Sequence, residues 1–385
     1  MTALGRGQDA AVRALQEARG GLHPGDFADA DLPMWIGRVP GLEQVPLEGE
    51  LTPFDCRNNR LARAALECDD IKGAVAAARE RYGANRVGVF LGTSTSGIRA
   101  TERAFSERDA DGRLPGGYVA HYRQTQSPFS VADFVTRYLD LRGPALVVST
   151  ACSSSAKVFA TAWRHIQAGL CDAALVGGVD SLCLSTLYGF NALELISPEP
   201  CRPWDRTRRG ISIGEGAGFA LLESPAKAEG RVALLGYGES SDAYHISTPH
   251  PQGEGASVAM EAALNRAGLG PRDIDYINLH GTATAANDAA EDRAVVRLFG
   301  AQVPCSSTKG WTGHTLGAAG VTEAVFCALA LERGFIPGTL NTNEVDPELR
   351  AGLVKAGRHE PIGTALSNSL GFGGTNCTLL LGLVR

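Results

Sequence analysis

Nothing in the chain forms a Cys-x-x-Cys pair or a Cys/His spacing of the zinc-site kind, so its nine cysteines point to neither a disulfide framework nor a structural metal. A reducing compartment fits that usage. Blocks of lysine and arginine are also missing, and the formal charge of -6 argues against a nucleic-acid partner. No apolar run approaches the roughly eighteen residues needed to cross a bilayer, so no membrane partner is expected. The opening Met1-Thr2-Ala3-Leu4-Gly5-Arg6-Gly7 has neither the basic nor the apolar block of a signal peptide, and a cytoplasmic location is expected. Short repeats and low-complexity tracts are absent, which argues against a solenoid.

What is present is 385 residues, 44% hydrophobic and 20% charged. That is the balance of a globular protein, with length for two domains or one duplicated core. An Ala-rich helix is expected from Gln8 to Arg19 and a long helical region from Cys56 to Arg81. Arg86 to Gly92 reads as a buried strand, and the polar, Gly-rich stretch from Thr101 to Pro128 as a surface excursion. A strand at Ala145–Ser149 runs through Cys152 into a helix ending near Gly169, and Ala173–Gly177 completes a β-α-β unit, which implies a mostly parallel sheet. Strands at Gly218–Glu223 and Val232–Tyr237 flank Ser224-Pro225-Ala226, where the boundary between halves 1–224 and 225–385 is placed. The second half alternates again: a helix over Ser257–Ala267, a strand over Tyr276–Leu279, a helix after Asp288, a helix over Gly317–Arg333, and strands near Thr364–Leu366 and Cys377–Leu381. The result is an α/β protein of two comparable halves.

Three residues stand out chemically. Cys152 sits where a buried strand turns into a helix of small residues, with Ser153, Ser154 and Ser155 behind it. A thiol at a helix N-terminus feels the positive end of the dipole, which favours the thiolate, and the same turn offers N–H groups to an oxyanion. A free cysteine most often packs as a small hydrophobe, and the other eight are read so. His280 follows the strand Tyr276–Leu279, at the strand end where α/β proteins place ligands, and His314 lies in Lys309-Gly310-Trp311-Thr312-Gly313-His314. Together they make a nucleophile and base set, while no third close ligand for a metal is evident. Gly214-Glu215-Gly216-Ala217-Gly218 leads into a strand, which is poor for a dinucleotide site. Gly371-Phe372-Gly373-Gly374-Thr375-Asn376 is a flexible turn between strands, either a plain hairpin or a hinge that swings Phe372.

Six segments in series resemble the signatures of β-ketoacyl-(acyl carrier protein) synthases of the elongating, KAS I/II-like type in the thiolase superfamily. They are Ala151-Cys152-Ser153-Ser154, Arg202-Pro203-Trp204-Asp205 with the glycine cluster at 214–218, Ser241-Asp242-Ala243-Tyr244-His245, His280-Gly281-Thr282-Ala283-Thr284, Lys309 to His314, and Gly371 to Asn376. The resemblance implies a thiolase-like duplicated fold with layers α-β-α-β-α, assembled as a homodimer or as a heterodimer with a ketosynthase-like subunit. Cys152 would carry the acyl chain, and its N–H with that of Phe372 would form the oxyanion hole. His280 and His314 would polarise malonyl thioester and stabilise the enolate left by CO2. Lys309 would support them, with Glu291 as its ion-pair partner, Glu323 in the same network and Asp288 as structural support. Thr282, Thr284 and Ser247 would bind the substrate arm, and Phe372 would gate. No cofactor is implied, since phosphopantetheine arrives on the acyl carrier protein with the acyl and malonyl substrates.

Carrier proteins are acidic, so a local basic patch is expected, with Arg57, Arg60, Arg63, Arg208 and Arg209 as candidates. Solvated surface is the plainer reading of each. Two departures from the family pattern stand out: the opening strand of the first sheet is expected to be missing, which puts that sheet's edge in doubt, and the serines after Cys152 look more like polyketide-type synthases, implying a specialised or polyenoic chain. The alternatives are a thiolase-type acyltransferase, a non-catalytic chain-length-determining subunit of a heterodimer, and a cysteine hydrolase. The Cys-His-His set with Lys309 disfavours the first, and the presence of Cys152 the second.

Overall fold

The computed structural model describes residues 1–25, 27, 30–224 and 231–384. The elements that build the site are, in chain order, α1 (Gly7–Gln16), α2 (Arg57–Leu66), α3 (Ile71–Tyr82), β1 (Val87–Gly92), α4 (Ser130–Tyr138), β2 (Ala145–Val148), α5 (Ser154–Gln167), β3 (Ala173–Asp180), α6 (Leu184–Ala192), β4 (Gly216–Glu223), β5 (Val232–Ser241), α7 (Glu254–Ala267), β6 (Tyr276–Asn278), α8 (Ala285–Phe299), β7 (Pro304–Ser306), α9 (Ala319–Arg333), β8 (Gly352–Leu353), β9 (Thr364–Gly371) and β10 (Thr375–Leu383).

Two sheets result. The first has the order β2-β1-β3-β4, with β4 alone antiparallel; the second runs β8-β7-β6-β9-β10-β5, parallel through β9 and antiparallel beyond it. Helices α5 and α9 lie between the sheets. Their Ala156, Val158, Phe159, Val321, Ala324 and Cys327 share one buried cluster with strand residues of both sheets. A second cluster joins α2, α3 and α4 to the outer face of the first sheet, and a third joins α7 and α8 to the outer face of the second. The five layers α-β-α-β-α follow.

The small residues of the central layer have a physical reason. A Cβ on Gly92 would stand 2.4 Å from the backbone N of Ser155, and one on Gly320 would stand 2.5 Å from the N of Ala156. Both positions therefore need glycine if α5 is to seat against β1 and α9. Parallel strands that are covered on both faces also need no polar alternation, which is why β1 and, up to Asp180, β3 are apolar and fully buried.

Several expected elements differ. The region Cys56–Arg81 is two helices, because Asp69 and Asp70 both take left-handed backbone (φ 52 and 59) and break it. The first helix stops at Gln16, with Ala18 at φ 50. The excursion from Thr101 to Pro128 carries three short helices, Ile98–Ser106, Gly116–Ala120 and Tyr122–Thr125. The helix after Asp288 begins at Ala285, and that expected from Gly317 begins at Ala319 behind a 3-10 turn at Leu316–Ala318. At the edge of the first sheet, Met1 and Thr2 lie against the start of β4, with the Met1 amino group donating to Ala217 O at 3.0 Å. Pro225 and Ala226, at the expected boundary between halves, lie outside the described residues.

Gly320→Ala is expected to destabilise the fold by about 1–3 kcal/mol through overpacking between α9 and α5. Urea denaturation measures it, and an unchanged midpoint would mean that the two helices can part freely.

Candidate active site

Four segments that follow strands converge between the halves. Cys152 follows β2 through Ala151, whose left-handed backbone (φ 51) makes the sharp turn that lifts the thiol out of the sheet. His280 follows β6, Lys309 and His314 follow β7, and Phe372 follows β9 in the tight loop to β10. The Cys152 Sγ lies 2.9 Å from His314 Nε2, and the ligand atoms of Cys152, His280 and His314 all fall within 4.8 Å of one another. The two imidazoles meet edge to face, 5.3 Å apart. The sequence brought these three residues forward from separate segments, and the fold brings them together.

The backbone fixes each ring. His314 N donates to Ser212 O at 2.7 Å and its carbonyl accepts from Gly214 N at 2.9 Å, while its Nδ1 has no partner among the described residues. Glu291 accepts from His280 N at 2.7 Å, from Gly281 N at 2.9 Å and from the Asn368 amide at 3.2 Å. The expected Lys309–Glu291 ion pair is not formed: Lys309 Nζ reaches Glu323 and the His280 carbonyl instead, and stands 3.4 Å from His280 Nδ1. Both acids are near, but only Glu323 projects from α9 beneath the ammonium, while Glu291 is used up by the backbone turn after His280.

Burial dominates the electrostatics. It pushes the Cys152 thiol up to about 12; the Lys309 charge and the Phe372 N–H pull it back, while Asp180 and Glu323 add to the rise. The expected thiolate is thus corrected. Cys152 is 5% exposed, and α5 begins only at Ser154, so the dipole is too weak to offset the loss of water. Burial, then Lys309 and then His314 hold the His280 imidazole far below its ordinary range; burial and then Lys309 do the same to His314. All three groups rest uncharged. Glu323 is pushed up by burial, to about 7, against the pull of Lys309.

A cavity of about 470 Å³ opens over Cys152, His280 and His314. Thr282, Thr284, Ser247, Arg209 and Phe372 line it, which places each at the mouth or wall. Thr282 and Thr284 share a hydroxyl hydrogen bond at 3.0 Å, and the Thr284 hydroxyl also caps α8 through Asn287 N. Phe372 turns its N–H toward the Cys152 sulfur, and its ring lies 5.5 Å from that of Phe190 on α6. Asp288 accepts from Trp204 N at 2.9 Å and from Ala283 N at 3.2 Å, so it braces the loop that carries the two threonines.

The arginine patch fares differently. Arg57 has a side chain only 8% exposed and pairs with buried Glu215 and with Glu43; Arg60 pairs with Asp55, and Arg63 with Glu67. Arg208, 7% exposed, is held by Asp288 and Asp346. Arg57 and Arg208 are therefore internal struts and not a docking surface. Sequence shows a charge but not its partner. Arg209 is exposed at the cavity. Two residues escaped the sequence reading: Phe190, which carries no signal, and Asp180, whose signal was an acid closing the otherwise apolar Ala173–Val179.

A duplicated α-β-α-β-α fold with a cysteine and two histidines at its strand ends defines a thiolase-fold enzyme of acyl transfer. The comparisons with known proteins narrow the class. The family descriptions "Beta-ketoacyl synthase, N-terminal domain" and "Beta-ketoacyl synthase, C-terminal domain" match residues 58–228 and 232–343. The 3-oxoacyl-[acyl-carrier-protein] synthase 2 of Staphylococcus aureus is 34% identical over 368 residues, covering 87% of this chain and 89% of that protein. A chain of the ketosynthase and chain length factor complex from Xenorhabdus doucetiae is 39% identical with a TM-score of 0.89, covering 100% of this chain and 96% of that one. A chain of the ishigamide ketosynthase/chain length factor is 26% identical with a TM-score of 0.90, covering 100% and 97%. The chain belongs to the β-ketoacyl synthase family, and it is an acyltransferase of the ketosynthase kind.

Burial pushes Glu291 up to about 7, against the pull of the Gly281 and His280 N–H groups. The folded chain thus holds more protons than the unfolded one between the ordinary value of 4.5 and about 7, and stability from this group is lost as pH rises through that window. Glu291→Gln is expected to flatten that slope in urea midpoints taken across it. A slope identical to that of the parent chain would contradict the shift.

Proposed function

We propose that the chain condenses an acyl group held on Cys152 with malonyl carrier protein, with loss of CO2. The observation that carries this reading is the buried contact between Cys152 Sγ and His314 Nε2 at 2.9 Å, with His280 beside it. In the first half-reaction the thiol proton passes toward His314 as sulfur attacks the carrier thioester. The oxyanion receives the N–H groups of Phe372 and Cys152, and the departing carrier thiolate takes the proton. In the second, malonyl carrier places its thioester oxygen against the neutral imidazoles, which donate N–H hydrogen bonds to the negative charge left by decarboxylation. The enolate carbon then attacks the acyl carbonyl, the C–S bond breaks, and Cys152 departs as a thiolate that takes a proton from solvent through His314, which restores the resting thiol. Uncharged donors in a site poor in water suit this step, because they do not protonate the carbanion outright.

The reading needs no cofactor or metal in the chain, since the phosphopantetheine arm arrives with the carrier. Thr282, Thr284 and Ser247 at the cavity wall fit the role of guiding that arm, and Arg209 that of meeting its acidic protein. A cytoplasmic setting fits, as no helix among the described residues is long and apolar enough to cross a membrane.

A ketosynthase-like partner subunit completes the proposal. Strand β2 is the open edge of its sheet, and its Leu146 is 42% exposed. An apolar edge of this kind pairs unless it is guarded. The similarity to chains from ketosynthase and chain length factor complexes supports a heterodimer, and with the serines after Cys152 it supports specialised polyene or polyketide-type elongation.

His280→Ala is expected to leave acylation of Cys152 intact, read by whole-protein mass, while release of labelled CO2 from malonyl carrier falls by at least about a hundredfold. Equal loss of both steps would sink the division of labour between the two histidines. Arg209→Glu is expected to raise KM for carrier-borne substrate several-fold with kcat unchanged; an unaltered KM would remove Arg209 from docking.

A further inference from the structure

The carboxylate of Asp180 collects donors from both halves of the molecule. At Oδ1 it accepts from Thr93 Oγ1 at 2.7 Å, Ser94 N at 2.8 Å, Thr95 N at 2.9 Å and Thr95 Oγ1 at 3.0 Å. At Oδ2 it accepts from the Ser94 hydroxyl and from Gly317 N at 2.6 Å. The first five contacts fasten the loop that follows β1, in the first half. The sixth crosses to the turn that follows His314 by three residues. Asp180 itself closes β3 and is fully buried.

That turn is under strain. Leu316, buried, holds left-handed backbone (φ 51), a conformation that a bulky side chain adopts only when its surroundings impose it. The turn is pinned at two points, by Asp180 on Gly317 N and by the Ser155 hydroxyl, which accepts from Val321 N at 2.9 Å. Ser155 belongs to the helix that follows Cys152. His314 is held to the half that carries the nucleophile by its own backbone bonds to Ser212 and Gly214, and the Gly317 contact adds a further tie just beyond it, while its Nδ1 has no partner among the described residues.

We propose that Asp180 is a positioning residue for acyl transfer, setting His314 against Cys152 through the Gly317 N–H. This rests on the reading of Cys152 and His314 as the working pair. Every contact on the carboxylate is a donor, so the chemistry of the site selects an acceptor-only group with two oxygens. Asparagine keeps the shape but must turn its NH2 toward one set of donors. The less costly choice leaves the four contacts at one oxygen intact and opposes Gly317 N–H, severing the link to the His314 turn.

The test is a double-mutant cycle read on Cys152 alkylation by iodoacetamide, followed by peptide mass in the full-length chain; it requires neither carrier nor condensation. Asp180→Asn is expected to slow alkylation roughly tenfold in the presence of His314, the scale on which a displaced catalytic contact loses rate. In the His314→Ala background it is expected to have no slowing effect. Charge alone predicts the reverse sign, since Asp180 is among the groups that disfavour the thiolate. Equal slowing in both backgrounds, or no slowing in the presence of His314, would overturn the proposal. Gly317→Ala parts the same turn from the Asp180 loop from the other side, because its Cβ would meet Asp180 Oδ2 at 2.7 Å and Ser94 N at 2.8 Å, and it carries the test should Asp180→Asn fail to fold. Loss of carrier-dependent condensation with the alkylation cycle behaving as expected would instead count against the proposed function alone.

Discussion

The site depends on exclusion of water between two halves that close on a shared layer of two helices. Once α5 and α9 are seated, Cys152, His280 and His314 expose too little surface to solvent to support a charge, and each is driven to its neutral form. A nucleophile made this way is not stored as a thiolate. On the proposed mechanism it is generated when a substrate arrives and His314, 2.9 Å away, takes the proton. The same dryness lets neutral N–H groups stabilise an enolate that water would quench.

Much of this was legible in the sequence, for reasons that differ by residue. The three reacting side chains follow apolar strands within runs of glycine, alanine, serine and threonine, and that pattern is local. Two α/β halves followed from strand and helix alternation, and the five layers from the family resemblance alone. Partnerships were not legible. Glu291 and Glu323 are both acids near the histidine segments, and only the direction of α9 decides which meets Lys309. Arg57 and Arg208 look like surface charges until Glu215, Asp288 and Asp346 are seen beside them.

The charge state of Cys152 was misjudged for a related reason. A helix start was visible, but the depth at which the turn through Ala151 sets the sulfur was not. The two aspartates that break the helix before Tyr82 show the same limit: side-chain composition favoured continuity, while backbone geometry at Asp69 and Asp70 settled the matter. Asp180 was missed for a like reason. The expected strand stopped at Gly177, short of this acid, whose meaning lies in donors from Thr93 to Gly317, far apart in the chain.

The shielding of Cys152 has one more effect, on time instead of energy. A thioester on that sulfur sits at the floor of a cavity about 470 Å³ in volume, behind the paired rings of Phe190 and Phe372. Hydrolysis requires a water molecule at the carbonyl, and a cysteine only 5% exposed leaves few directions from which one can approach, which prolongs the life of the ester. The interval between the departure of one carrier and the arrival of the next is thereby bridged without loss of the growing chain.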